Sequence, residues 1–272
     1  MKKLFVRLLT MLLAVATLTA CSSGGSTSEL ETIKIAASPT PHAEILEYAK
    51  AALKEKGYDL QVTEFEDYVQ PNEVVEAGDL DANYFQHVAY LNNFNEEHGT
   101  HLVNAGSIHY EPYGIYAGTK SKLEELAKGD VIAVPNDTTN EARALLLLQA
   151  NGILKLKKGV GLEATVKDIE SNPKGITFKE LEAAQVSRVK DEVAFVILNG
   201  NYALDAGYNA ATDAIAYEEQ TSEAGTVYAN VIAVKEGNEN EDKIKALVEV
   251  LKSEDVRKYI EDTFKGAVVP VD

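Results

Sequence analysis

Thr32-Ile33-Lys34-Ile35-Ala36-Ala37 reads as a β-strand, and the residues after it decide the fold. Pro39 and Pro41 punctuate a loop, Ala43 to Lys56 carries apolar residues at helical spacing, and Gly57 stops the helix. Asp59-Leu60-Gln61-Val62-Thr63-Glu64-Phe65 then alternates apolar and polar side chains, as a second strand does. The same reading predicts a short helix over Pro71 to Ala77, a strand over Asp81 to Phe85, a helix over Val88 to His98 and a strand over His101 to Ile108. Strands that alternate with helices are joined by crossovers, which points to a parallel sheet with helices on both faces.

The pattern restarts after Pro112. Gly114 to Ala117 and Val131 to Val134 read as strands, and a strong helix runs from Thr139 to Asn151, with Asn136 to Thr138 as its capping region. Ile176 to Leu181, Val193 to Ile197 and Val227 to Val234 supply further strands, and Asp242 to Leu251 and Asp255 to Phe264 two closing helices. Two α/β lobes follow: residues 32–112 with 230–272 form the first, and residues 113–229 are inserted as the second. The crossovers fall near Tyr110 to Tyr113 and Tyr228 to Asn230. Ligands of such folds sit at strand ends and between lobes.

The front of the chain is of another kind. Lys2, Lys3 and Arg7 precede an apolar run from Leu8 to Leu18, which reads as a secretory signal too short to span a bilayer. Thr19-Ala20-Cys21 closes it and resembles the lipobox of bacterial lipoproteins, in which the thiol is acylated and the leader is cut just ahead of it. Residues 1–20 are therefore expected to be a lipoprotein signal peptide. Cys21 becomes the lipidated N-terminus, and residues 21–31, with Ser22-Ser23-Gly24-Gly25-Ser26-Thr27-Ser28, form a flexible tether. Cys21 is the only cysteine, so an intramolecular disulfide is excluded. About 250 residues remain, enough for two lobes with proper cores. The chain has 26 basic and 43 acidic side chains for a net charge of −17, and the leader takes three of the basic ones, so nucleic acid and anionic lipid are poor partners for the mature surface.

Catalytic signatures are lacking: the sequence has no Gly-x-Ser-x-Gly, P-loop, Gly-x-Gly-x-x-Gly or His-Glu-x-x-His. No catalytic activity, cofactor or metal site is expected, although His42, His87, His98, His101 and His109 leave metal binding as an alternative reading. Polar and aromatic residues instead gather at predicted strand ends: Tyr68, Tyr84 to His87, Tyr90, Tyr110, Asn140, Arg143, Asn199, Asn201 and Asn230. Aromatic walls would suit an apolar group, and amides with one guanidinium would suit a charged planar headgroup, a combination that fits an amino acid.

These residues lie in segments that resemble the methionine-binding lipoprotein, or NlpA, family of ABC-importer substrate-binding proteins. The segments are Phe65 to Asn72, Asp81 to His87, Val134 to Leu145, Asn199 to Ala203 and Tyr228 to Val231. The resemblance runs from about Ile33 to Val271. It implies an α/β, two-lobed periplasmic-binding-protein-like fold of type II, with two parallel or mixed sheets and a ligand cleft between the lobes. It also implies a lipid-anchored extracytoplasmic protein that captures L-methionine and delivers it to a membrane permease driven by a cytoplasmic ATPase. On that resemblance Arg143 pairs with the ligand carboxylate, with Asn140 helping to orient it. Asn199 and Asn230 hold the polar backbone, and Tyr68, Phe85, His87 and Tyr90 line the thioether pocket. Another amino acid or a methionine-containing dipeptide as cargo, and an adhesin built on the same scaffold, stay open.

Overall fold

The computed structural model describes residues 30–219 and 222–272, so the signal segment and Cys21 lie outside the described residues. From Glu31 the chain runs through β1 (Glu31–Ala37), α1 (Glu44–Glu55), β2 (Tyr58–Glu64), α2 (Gln70–Glu76), β3 (Ala82–His87), α3 (Val88–His98) and β4 (Leu102–Tyr110). It then builds β5 (Gly114–Ala117), β6 (Val131–Pro135), α4 (Thr138–Ala150), a small hairpin of β7 (Lys155–Leu156) and β8 (Ile169–Ser171), and β9 (Thr177–Leu181). After these come α5 (Ala183–Val186), β10 (Phe195–Leu198), α6 (Gly200–Asp205), α7 (Ala210–Asp213) and β11 (Ala216–Tyr217). The chain closes with α8 (Ser222–Val227), β12 (Ala229–Lys235), α9 (Asp242–Leu251), α10 (Glu254–Phe264) and β13 (Val269–Pro270).

The strands assemble into two main sheets, one in each lobe. The first has the order β13-β4-β12-β3-β1-β2, and the second β11-β5-β10-β6-β9. The parallel expectation for the first lobe holds for β1 with β2 and β3, whereas β12 runs antiparallel between β3 and β4. The reason is topological. Strand β4 ends at the edge from which the chain leaves for the second lobe, and β12 starts at that edge on the way back, so the two must run in opposite senses. His87 at the end of β3, His109 near the end of β4 and Asn230 at the start of β12 consequently share one edge, with Asn230 in register with both histidines.

Periodicity explains the packing. Ile45, Leu46, Ala49 and Leu53 put one apolar stripe of α1 onto the first sheet, where they join Ile33, Ile35, Leu247 and Ile260. All six residues of β3 are buried, as expected for a strand covered on both faces. The second sheet carries one core beneath α4, with Ile132, Val134, Leu145 and Leu148, and another on its opposite face, with Val186, Val196 and Leu198. Helix α4 is buried on most of its circumference because it packs on β6 and also meets α3 of the first lobe. Among the described residues, no helix is long and apolar enough to cross a membrane.

Candidate functional site

Three connections end at the edge of the second sheet that faces the first lobe. Strand β6 delivers Asp137 and the start of α4, β10 delivers Asn199 and the start of α6, and Glu111 to Tyr113 lead into β5. Opposite them stand the ends of β3 and β4 and the start of β12. Between the lobes lies a space of about 320 Å³, lined by Tyr68, Phe85, Gln86, His87, Tyr90, Glu111, Asn140, Arg143, Asn199, Gly200, Asn201 and Asn230. Only about 20 Å³ of it admits the centre of a water-sized sphere, so the lining side chains nearly fill it. All eight residues singled out from the sequence therefore meet at one cavity, with Gln86, Glu111, Gly200 and Asn201 beside them.

The hydrogen bonds of this wall can be followed atom by atom. Asp137 caps α4, accepting at Oδ1 from the Asn140 backbone N–H at 3.0 Å and from Asn140 Nδ2 at 2.9 Å. Because a carboxylate only accepts, the Asn140 amide is turned with its NH₂ towards Asp137 and its oxygen outwards. Asn140 Oδ1 then takes Asn199 Nδ2 at 2.8 Å and lies 3.1 Å from His87 Nε2. His87 Nδ1 accepts the Tyr90 N–H at 3.0 Å as the cap of α3, so the ring proton resides on Nε2. His87 and Asn140 are thus fully engaged within the wall. Burial, together with the positive charge of Arg143, lowers the His87 pKa to about 3 and keeps the ring neutral. Asn199 differs: its amide nitrogen is used, and Oδ1, though buried, has no partner among the described residues.

A second chain runs behind the cavity. The Tyr84 hydroxyl bonds His109 Nδ1, His109 Nε2 lies 2.7 Å from Glu111 Oε1, and His42 Nε2 lies 3.4 Å from that oxygen and 3.0 Å from Asn230 Oδ1. The Asn201 backbone N–H also bonds Glu111, tying the start of α6 to the first lobe's network. Burial lowers His42 to about 4 and His109 to about 3, and raises Glu111. His42, His109 and Glu111 offer ligand atoms within 4.8 Å of one another, a spacing that could hold a metal ion. The nitrogens that face Glu111 are the protonated ones, however, so their lone pairs are not available to a cation in this arrangement.

Arg143 projects from the second turn of α4 and is buried. Its Nε stands 3.2 Å from each Glu218 oxygen, and Nη2 is 2.5 Å from Glu218 Oε2 and 3.1 Å from the Glu111 carbonyl. The guanidinium carbon lies 4.0 Å from the Tyr228 ring centre and 4.8 Å from that of Tyr113. Burial works to lower its pKa, but Glu218 more than offsets this and holds the guanidinium above its ordinary value. The far side of the cavity is aromatic: Tyr68 lies 5.6 Å, centre to centre, from both Phe85 and Tyr90. Tyr68 also donates across to Asn201 Oδ1 at 2.5 Å, and Tyr202 donates to the Glu66 carbonyl at 2.8 Å, so the lobes are in contact around the cavity.

Residues 33–272 match the model of the NlpA lipoprotein family over nearly the whole described chain. The chain belongs to the NlpA lipoprotein family. It is 41% identical over 239 residues to membrane lipoprotein TpN32 of Treponema pallidum, with 88% of each chain covered. Its identity to the methionine-binding lipoprotein MetQ of Bacillus subtilis is 40%, covering 100% of this chain and 99% of that one. Among solved structures, a lipoprotein from Ruminococcus gnavus is 67% identical with a TM-score of 0.88, covering 89% of this chain and 100% of that one. A nutrient-binding protein from Burkholderia cenocepacia, solved bound to methionine, is 42% identical with a TM-score of 0.84, covering 88% of this chain and all of its own. The two-lobed α/β fold is that of these substrate-binding lipoproteins.

The sequence places Asn201 among the strand-end residues without a ligand role, and it does not single out Glu218. Glu111 carried a usable signal, an acid next to a predicted crossover that ends a strand. Glu218 carried none, because an acidic pair in an acidic chain reads as solvated surface.

Proposed function

We propose that this protein is a non-catalytic binding protein that captures L-methionine between its lobes and hands it to an ABC permease. The observation that carries the reading is the polarity of the cavity wall. Asn230 has its oxygen committed to His42, so its NH₂ is available beside Arg143, and together they form a donor face for a carboxylate. Asn199 has its NH₂ committed to Asn140, so its unpartnered oxygen and the Glu111 carboxylate form an acceptor face for an ammonium group. Opposed donor and acceptor faces suit the zwitterionic end of an α-amino acid. Tyr68, Phe85 and Tyr90 would then receive the side chain, with sulfur–aromatic contacts worth about 0.3–1.5 kcal/mol each, while His87 and Asn140 hold the wall in shape. The methionine named for the relatives in Bacillus subtilis and Burkholderia cenocepacia supports this cargo.

Residues 32–112 with 230–272 would move as one body against 113–229, opening the cleft for entry. Cys21 would carry the lipid anchor and keep the protein on the extracytoplasmic face of a membrane, where the permease and its cytoplasmic ATPase reside. The test is calorimetric titration of residues 22–272, unfolded and refolded to strip carried ligand, with a panel of amino acids. One-to-one binding of L-methionine well ahead of leucine, glutamine and glycyl-methionine is expected. Silence toward every amino acid would refute the reading.

A further inference from the structure

His42 is fully buried behind the cavity and does not line it. Its ring is held edge-on to Tyr84, with centres 4.7 Å apart, and tilted against His109 at 5.1 Å. Nε2 faces two acceptors, Asn230 Oδ1 at 3.0 Å and Glu111 Oε1 at 3.4 Å, so the ring proton sits on Nε2. Nδ1 has no partner among the described residues, so no competing bond draws the proton to the other side of the ring.

The consequence concerns Asn230. A side-chain amide has two chemically opposite ends that differ little in shape, and only its hydrogen bonds decide which end faces which way. Here the oxygen end is fixed from behind by an imidazole N–H. The NH₂ end is therefore left as the donor at the cavity, whose wall Asn230 shares with Arg143. Without His42 the amide could turn over and set an oxygen against a ligand carboxylate.

We propose that His42 is a positioning residue for ligand recognition: its Nε2–H holds the Asn230 amide with its nitrogen towards the bound carboxylate. This rests on the reading of the cavity as an amino-acid site. The histidine does not line the cavity, and its shorter contact, 3.0 Å to Asn230 against 3.4 Å to Glu111, makes Asn230 the main route by which it reaches the ligand.

The experiment is a double-mutant cycle on the full-length protein in detergent, with L-methionine affinity measured by calorimetry and folding followed by thermal unfolding. His42→Leu is expected to weaken binding about tenfold or more in the wild-type background, the size of one mis-set buried hydrogen bond. In the Asn230→Ala background the same change should cost much less, no more than the longer 3.4 Å contact to Glu111 supplies. His42→Gln, whose amide nitrogen reaches the position of Nε2, should recover most of the affinity, whereas His42→Asn, whose nitrogen falls at the position of Nδ1, should not. Should the leucine variant fail to fold, the glutamine and asparagine pair carries the comparison alone. Equal losses in both backgrounds, or equal affinities for the glutamine and asparagine variants, would overturn the proposal. A wild type that takes no amino acid would overturn the binding reading itself, an outcome distinct from either.

Discussion

Glu218→Gln isolates the charge on which the buried guanidinium depends. Arg143 is only 3% exposed, and Glu218 meets it through contacts of 2.5, 3.2 and 3.2 Å with about a fifth of its own side chain in water. Removing one partner of a buried ion pair costs ~3–5 kcal/mol, because the other charge stays behind without compensation. Glutamine keeps one oxygen as an acceptor, and the rings of Tyr228 and Tyr113 remain over the cation, so the loss should fall to about 2–3 kcal/mol. For a chain of this size that corresponds to a fall in Tm of about 5–10 °C. The assay is thermal unfolding at neutral pH of protein stripped of ligand, repeated at saturating L-methionine. A bound carboxylate supplies the missing negative charge, so the gap between variant and wild type should narrow when ligand is present. Unfolding coincident with wild type in the stripped state would show that Glu218 does not support the buried cation. A gap that widens with ligand would show that Glu218 orients Arg143 for the carboxylate and does not simply neutralise it.

Three further outcomes follow from the same geometry. A Cβ at Gly200 would lie 2.5 Å from Glu111 Cβ and 2.6 Å from Glu111 Oε2, so Gly200→Ala should cost about 1–3 kcal/mol in urea unfolding and weaken ligand binding by displacing that carboxylate; wild-type values for both would mean that the site yields more readily than its packing implies. His42, His87 and His109 have native pKa values near 4, 3 and 3 against 6.5 in the unfolded chain, so unfolding takes up protons below pH 6.5. Stability should thus be full above pH 6.5 and fall steadily towards pH 4, with the raised pKa of Glu111 acting in the opposite sense at the acid end; a urea midpoint that stays flat between pH 7 and pH 5 would contradict this. Tyr202→Phe removes the 2.8 Å bond to the Glu66 carbonyl of the other lobe, and losing about 1 kcal/mol of closure should raise the Kd for L-methionine about fivefold while leaving Tm without ligand nearly unchanged; an unaltered Kd would mean that this contact does not favour the closed form.

Most elements were legible because their signals are local. Helix Val88–His98 and strand Gly114–Ala117 fall on the expected residues, and α4 is offset by a single position, since apolar period and caps lie within the segment itself. The neighbour relations were not legible. The apolar run Val227 to Val234 announces a strand but does not say that it slots between β3 and β4 or that it runs antiparallel to both. The short α6, β11 and β13 are held by their surroundings and lack a period of their own. At the site, the eight residues named from the sequence are the cavity's visible wall, whereas the proton positions on His42, His87 and His109 depend on partners from distant segments. Glu218 lies 75 residues beyond Arg143, and only the fold brings them together.

Strand β12 lies in the middle of the first sheet, yet it is made after the whole second lobe. A chain that becomes free to fold amino end first would therefore present β1 to β4 well before the strand that bridges β3 and β4 arrives. The inserted lobe, whose main strands all fall between residues 114 and 217, can close its own sheet during that interval. Folding order should then invert chain order: the segment that starts last among the two lobes is completed first, and the lobe that begins at Glu31 exposes open strand edges until Ala229–Lys235 is delivered. A chaperone that holds unfolded chains would have its longest engagement with this waiting half.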